Sequence, residues 1–464
     1  MIQICRRNIR TIRTMIRQTL GITSSRRAPA VTFRNPDSRG VLRIQSATAM
    51  AAIEFRLESL ALDPDSFSIP YQALMSCEGS QEELVNFVRN KNEVIVQWTD
   101  AGIPQSLTVA AGAPVDIPPE ATLTSIEPRF IAAMADAVAT TSAEPSRFAL
   151  DCVRLRGSDG QMAASDGGQA ILETGFHFPW SDTVLVPACD VFSSREFAAA
   201  EEVLIGRSDD WVTVQANACT VHLKIEKERR YPDLDLQIPG EGAAVTMLAL
   251  ADTDVAFLLE SAPKLPAAEE TNAPVTIELN GVVAIRAAAE ASDQITELVL
   301  SNSRRVGEEI LFQTDRTFLC RAAQLGFREI QLRDNTAPAC CRDDRRVYLW
   351  ALLDEESVLR ASDDTARISS PVASNSLPQP KGKSSTMVTT ASSRPVSARS
   401  SAASSNDTEV NPNLLTQAET LRDSLNQALS DTRELITLIK RNQKQNRLVE
   451  TTLRSLKQLE QIAS

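Results

Sequence analysis

Between residues 148 and 239, apolar and polar positions alternate in short runs, each ended by turn residues. Phe148, Leu150 and Cys152, then Val153 and Leu155, carry the period of two that marks half-buried strands. Ser158-Asp159-Gly160 supplies hairpin-turn chemistry, because glycine adopts the positive φ a tight turn needs. Residues 163–168 end the second strand. Leu185-Val186-Pro187 leads into a predicted helix over 189–202, whose apolar face carries Val191, Phe192, Phe197 and Val203. Strands at 212–214 and at Val221, Leu223 and Ile225 follow, and Tyr231-Pro232-Asp233 closes the unit.

The same rhythm of helix, hairpin, short helix and strand pair recurs over 10–110, 125–239 and 245–353. In the first copy, strands are expected at 30–33, 41–44 and 51–57. Phe67-Ser68-Ile69-Pro70 then enters a helix over 71–77, and strands at 93–98 and 106–110 finish the copy. In the third, a helix is expected at 251–265, strands at 275–279, 282–287 and 297–301, and a short helix at 315–325 with Asp315 as its N-cap. Strands at 329–332 and 347–353 close it. Three units of about 110 residues indicate a repeated α+β architecture, sheets on one side and paired helices on the other.

The chain's two ends differ from its body. Residues 1–27 hold seven arginines and no acid, and Ile9, Ile12, Ile16 and Leu20 form one helical stripe with Arg6, Arg10, Arg13 and Arg17 mostly outside it. This pattern fits the first helix of a domain, a mitochondrial targeting segment or a basic arm. Residues 361–410 are dense in Ser, Pro, Ala and Thr and cannot bury enough surface to offset ordering entropy, so a flexible linker is expected. Residues 413–463 read as one long helix with a heptad stripe that includes Leu421, Leu425, Leu435, Ile439, Asn442, Asn446 and Leu453. Asn442 and Asn446 interrupt the apolar seam, a pattern that favours a dimer or helical hairpin over a large bundle; docking of the helix on another protein is the alternative.

Composition narrows the chemistry. The chain has 464 residues, so several domains are expected, and its net charge of −12 rules out a uniformly basic surface while leaving room for a basic lining. Eight cysteines stand without a CxxC spacing, which indicates reduced thiols, and two histidines leave little for zinc or triad chemistry. No apolar run reaches the length of a membrane span, and neither a phosphate-cradling glycine loop nor a nucleophile–base spacing is present. No catalytic residue, metal ligand or cofactor is therefore assigned.

Three words in order, Ser165-Asp166-Gly167, Val186-Pro187 and Tyr231-Pro232-Asp233 with Ile238-Pro239, resemble the middle domain of the bacterial DNA sliding clamp, the beta subunit of DNA polymerase III. The likeness covers residues 20–353 and is that of a diverged member. It implies three clamp-type domains at 1–122, 123–241 and 242–356, with curved antiparallel sheets outside and paired helices inside. A linker over 357–411 and a coiled-coil helix over 412–464 would follow. It further implies a non-catalytic, cytoplasmic processivity factor that encircles double-stranded DNA without reading its sequence. Such a protein forms a homodimeric ring and binds DNA polymerase III subunits or a clamp loader.

The DNA-facing cations implied are Arg13, Arg17, Arg129, Arg195, Lys264, Arg316 and Arg321, placed on the inward helices where phosphates pass. The partner-peptide groove implied is lined by Ser165, Gly167, Pro239, Leu349, Leu352 and Leu353. The sequence departs from the family at this groove, since the His-Arg-Leu that follows the turn and the closing Met-Pro-Met are both missing. The alternative is a clamp-fold scaffold that does no DNA work and assembles through its C-terminal helix.

Overall fold

Alternation builds the strands, and one short helix after each hairpin builds the second layer. The first set comprises β1 (Ile2–Cys5), α1 (Arg6–Leu20), β2 (Val31–Arg34), β3 (Val41–Ala47) and β4 (Ala51–Glu58). It continues through β5 (Ser66–Ile69), α2 (Tyr71–Cys77), β6 (Leu84–Asn90), β7 (Glu93–Asp100) and β8 (Ile103–Ala110). The second set comprises β9 (Leu123–Ile126), α3 (Arg129–Val138), β10 (Cys152–Arg156), β11 (Gln161–Ser165) and β12 (Gln169–Glu173). It continues through β13 (Thr183–Pro187), α4 (Arg195–Ala198), β14 (Val203–Arg207), β15 (Trp211–Ala216) and β16 (Cys219–Lys224). The third set comprises β17 (Thr246–Ala249), α5 (Asp252–Ser261), β18 (Pro274–Leu279), β19 (Val283–Ala287), β20 (Thr296–Leu300) and β21 (Arg304–Gly307). It ends with β22 (Ile310–Asp315), α6 (Arg316–Gln324), β23 (Glu329–Leu332), β24 (Ala339–Arg342) and β25 (Arg346–Trp350), and β26 (Ala366–Ser369) follows.

This computed structural model describes residues 1–34, 41–58, 66–119, 121–240, 242–270, 272–289, 294–354, 358–362 and 365–372. They belong to one unit, Met1–Leu377, and the second unit, Pro378–Ser464, lies outside the described residues. The heptad residues Leu421, Leu425, Leu435, Ile439, Asn442, Asn446 and Leu453 lie outside them too, as does most of the expected linker.

The sheets cross from one set to the next. One has the order β5-β2-β3-β4-β16-β15-β14-β9, joining the first set's leading strands to the second set's closing strands. Another, β13-β10-β11-β12-β25-β24-β23-β17-β21, joins the second to the third in the same way. The joints are antiparallel: β4 pairs with β16 through Ile53 and Val221, and β12 with β25 through Ile171 and Tyr348. The two remaining sheets, β1-β6-β7-β8 and β22-β18-β19-β20-β26, hold the ends of the succession.

In every set the chain leaving the last strand doubles back over that set's own leading strands. Gly112 donates to Ser68 O on β5 at 2.8 Å, Glu226 to Leu185 O on β13 at 2.9 Å, and Leu353 to Gln313 O on β22 at 2.8 Å. Val115 N–H then reaches Thr32 Oγ1 on β2 at 2.8 Å and Leu359 N–H reaches Thr276 Oγ1 on β18 at 2.9 Å, while Arg154 on β10 donates to Asp235 at 3.1 Å. β18 shows why this covering matters. Val275, Ile277 and Leu279 enter the core, and Thr276 on the opposite face is equally buried and needs a partner there.

Several sequence expectations change. The helix expected over 189–202 divides into a 3-10 turn, Asp190–Ser193, and α4, and Val203 opens β14 instead. Ser194 causes the break: its backbone is extended and its side chain caps Phe197 N–H. The helix expected over 251–265 ends at Ser261 and tightens into a 3-10 turn, Ala262–Lys264, around Pro263. Arg6, expected mostly outside the apolar stripe, is buried. Its guanidinium donates to Cys77 O, Glu78 O and Thr99 O at 2.9–3.2 Å and pairs with Asp100 at 2.9 Å. Gly79 has no side chain there because a Cβ would stand 2.8 Å from Arg6 Nε. Finally, β26 lies inside the stretch expected to be linker.

Seven cysteines are buried and Cys5 is half-buried. Burial pushes the Cys77, Cys152 and Cys189 thiols up to about 12, so their thiolates are scarce at neutral pH. A thiol reagent applied to the native protein is expected to modify Cys5 promptly and the other seven only after unfolding. Prompt modification of two or more residues, mapped by peptide mass, would contradict the packing described.

Candidate nucleic-acid interface and partner groove

The helices form a file. α1 packs on α2 and on the 3-10 turn Asp190–Ser193, which also packs on α3 and α4, and α5 packs on α6. Arg321 on α6 closes the gap to α3 by pairing with Asp136 at 2.9 Å. Residues 6–20 of α1 contain five arginines and no acid, so this end of the file is the basic one. Gly21, in the left-handed region at φ 59°, ends the helix by returning its N–H to Arg17 O.

The arginines of α1 divide by face. Arg6 is buried and Arg13 is half-buried against Glu78 and the Tyr71 hydroxyl, so both fasten α1 to α2. Burial works against the Arg13 charge, and the hydrogen bond and charge of Glu78 more than offset it. Arg7, Arg10 and Arg17 are exposed. Arg7 also lines a shallow groove with Arg195, the exposed first residue of α4, beside Thr11, Met15 and Asn217. Arg7 and Arg10 were not among the sequence-derived cations, although their spacing with Arg17 already placed all three on one helical face.

The other expected cations have different surroundings. Arg129 pairs with Glu173, donates to Gly175 O at 2.5 Å, and stacks over Phe176 at 4.1 Å. Lys264 is exposed and meets Glu260 at 3.1 Å. Arg316 corrects the expectation outright, because it is 2% exposed and faces the interior. It donates to Ala273 O at 2.9 Å, Ala262 O at 3.3 Å, Leu265 O at 2.7 Å and Pro274 O at 3.0 Å, and also to Pro266 O. It therefore ties the end of α5 to the start of β18.

The expected groove residues are only partly brought together. The hairpin 165–169 is braced from within, where Ser165 Oγ donates to Gln169 O at 2.7 Å and Asp166 accepts from Gly168 N–H and Gln169 N–H at 2.8 and 2.9 Å, and from outside by Ala351 N–H on Gly168 O at 2.8 Å. Gly167 stands at φ 97°, which favours glycine, and Gly168 faces Phe318 so closely that a Cβ would lie 3.3 Å from the ring. Leu349 on β25 is buried with Ala163, Ala170, Leu172 and Leu234, and Tyr231 and Ile238 pack on this cluster. The chain's own Leu234 and Tyr231 thus fill the apolar ground beside the hairpin. Pro239 is held through its carbonyl by Arg342, while Leu352 and Leu353 have moved on toward β22.

Among the described residues no group of His, Cys, Asp or Glu could hold a metal ion, and no helix is long and apolar enough to cross a membrane. No protein-family profile and no curated protein matches the chain. Solved structures do. The DNA polymerase III subunit beta from Pseudomonas aeruginosa is 15% identical, with a TM-score of 0.61 over 76% of this chain and 99% of that one. The beta subunit from Thermotoga maritima is 12% identical at 0.61, over 76% and 99%. That from Borrelia burgdorferi, solved with a natural product, is 12% identical at 0.63, over 76% and 98%. At such identities the likeness speaks for architecture alone, and the chain carries the fold of the DNA polymerase III beta-subunit sliding clamps.

Proposed function

We propose that the chain works as a diverged DNA sliding clamp in the cytoplasm, in which two copies joined head to tail enclose duplex DNA and hold a replication or repair enzyme on it. The observation that carries this reading is the acid-free α1, which exposes Arg7, Arg10 and Arg17, with Arg7 sharing a groove with Arg195. Long, exposed cations neutralise phosphates without reading bases, which suits sliding contact. The protein performs no chemistry in this reading. Topological linkage keeps the held enzyme at a high effective concentration. A partner peptide is proposed to contact the exposed Gly167 and the half-buried Pro239, beside the ground that Leu234 fills over Leu349.

Retention on nicked circular DNA at a salt concentration that releases the protein from linear DNA tests the reading; equal release from both would end it. Replacing Arg7, Arg10 and Arg17 together by alanine is expected to flatten the dependence of log affinity on log salt by about 3, close to one unit per lost phosphate contact. Titrations at several salt concentrations measure this slope. A slope equal to that of the parent chain would remove α1 from the interface. A second reading, a clamp-fold scaffold without DNA work, is favoured by the internal use of Arg13, Arg129, Arg316 and Arg321.

A further inference from the structure

The two sheet joints obey one rule. The third leading strand of a set pairs, antiparallel, with the last strand of the following set: β4 with β16, and β12 with β25. Applied to the ends of the succession, the rule leaves two strands over. β8 is a last strand with no set before it, and its outer edge is unpaired among the described residues. β20 is a third leading strand with no set after it among the described residues, so β8 of a second copy is the strand the rule would place there. In this chain the place is filled. β26 lies along β20, parallel, with Thr296 opposite Ala366 and Val299 opposite Ser369.

We infer that β26 is an intramolecular competitor for the outer edge of β20, the edge at which the head-to-tail reading places β8 of a second copy, and that it must leave before the two copies join. The inference rests on the head-to-tail reading of the proposed function. The segment that brings β26 there is well anchored. Leu353 bridges to β22, Leu359 reaches Thr276, and the chain has passed from one edge of the five-stranded sheet to the other by β26.

β26 itself is held by polar contacts near its end. Arg367 Nε lies 2.5 Å from Glu297 Oε1, Ser370 Oγ donates to Asp254 at 2.6 Å, and Asn302 Nδ2 donates to Pro371 O at 2.8 Å. Little apolar surface is hidden, since Arg367, Ile368 and Ser369 are exposed. The competitor is the longer strand: β8 has eight residues to the four of β26, and it would pair antiparallel, the slightly more stable arrangement. β26 is thus strong enough to shield an edge from indiscriminate pairing and short enough to be exchanged.

The test compares three full-length proteins by amide exchange over β8 across a range of protein concentrations. They are the parent, a release variant (Arg367→Ala with Ser370→Ala) and a locked variant (Val299→Cys with Ser369→Cys, oxidised). The expected result is fast exchange at the β8 amides that face away from β7 in the parent and locked proteins and, in the release variant, concentration-dependent slowing of those amides by at least about tenfold. β8 amides read the joint itself, so association through the C-terminal tail leaves them unchanged. Fast exchange at β8 in the release variant at every concentration overturns the inference, as does full protection of β8 in the parent. Should the parent show β8 protected and still be retained on circular DNA, the cap is wrong and the clamp reading stands. Should the release variant protect β8 yet leave circular and linear DNA equally, the cap stands and the clamp reading fails.

Discussion

Arg316→Ala is expected to cost the third set of elements about 3–5 kcal/mol, the range for removing one partner from a buried, fully hydrogen-bonded charge. The guanidinium serves five carbonyls, those of Ala262, Leu265, Pro266, Ala273 and Pro274; Ala262 O also accepts from Leu265 N–H and Ala273 O from the Arg316 backbone N–H, both at 3.2 Å. Burial disfavours its charge and lowers its pKa, with Asp315 opposing, so what holds it in place is the ring of carbonyl oxygens. Removing it takes the guanidinium donor from the buried carbonyls of Leu265, Pro266 and Pro274 and leaves Ala262 O and Ala273 O with a backbone donor each. Arg316→Lys should restore only a minor part, since a single ammonium cannot match the planar fork. Urea melts of both variants measure the effect, and a loss below about 1 kcal/mol for alanine, the net value of one ordinary hydrogen bond, would refute the account.

Acid is expected to loosen the end of the third set. Asp254 is fully buried on α5 and accepts from Asn302 N–H and Nδ2 at 2.8 Å each. It also accepts from Ser303 N–H at 2.6 Å, Ser303 Oγ at 2.7 Å and Ser370 Oγ at 2.6 Å. Burial pushes its pKa up, but the hydrogen bonds from Ser370, Asn302 and Ser303 outweigh this, and the folded value lies below the ordinary one. Its contribution is therefore complete above the unfolded value of about 3.9 and is lost as the pH falls from there through the folded value. Asp254→Asn should remove that dependence and cost about 3 kcal/mol at neutral pH, because an amide turns a donor toward donors. Amide exchange of residues 366–370 between neutral pH and pH about 3 follows the effect. Exchange that accelerates equally in the parent and in Asp254→Asn would show that another group governs the transition.

Much of the architecture was legible because it is local. Period-two alternation at Val275, Ile277 and Leu279 follows from the pleat itself, and Asp315 announces the start of α6 because its side chain accepts Thr317 N–H two residues away. The α2 boundaries, Tyr71–Cys77, follow directly from Pro70 and the apolar run. β24 escaped notice because its Ala-Cys-Cys-Arg run is short and carries no alternation. β26 escaped because its own composition is that of a linker, and its place is set by Glu297 and Asp254, residues 70 and 116 positions away.

The candidate site divides along the same line. Arg7, Arg10 and Arg17 share a face by helical geometry alone, so their common exposure was there to be read. Arg316 was not, since a charged residue on a short helix looks the same whether it meets solvent or a ring of distant carbonyls. On its own the sequence determined most of the segments that pleat and the start of helices such as α2 and α6, because those choices rest on neighbours within a turn or two. The fold in three dimensions decided which arginines face outward, which edge of the last sheet is covered and which carboxylates are buried. Each of those depends on unmatched backbone groups brought together from far along the chain, and a buried polar group must find its partner wherever the packing places one.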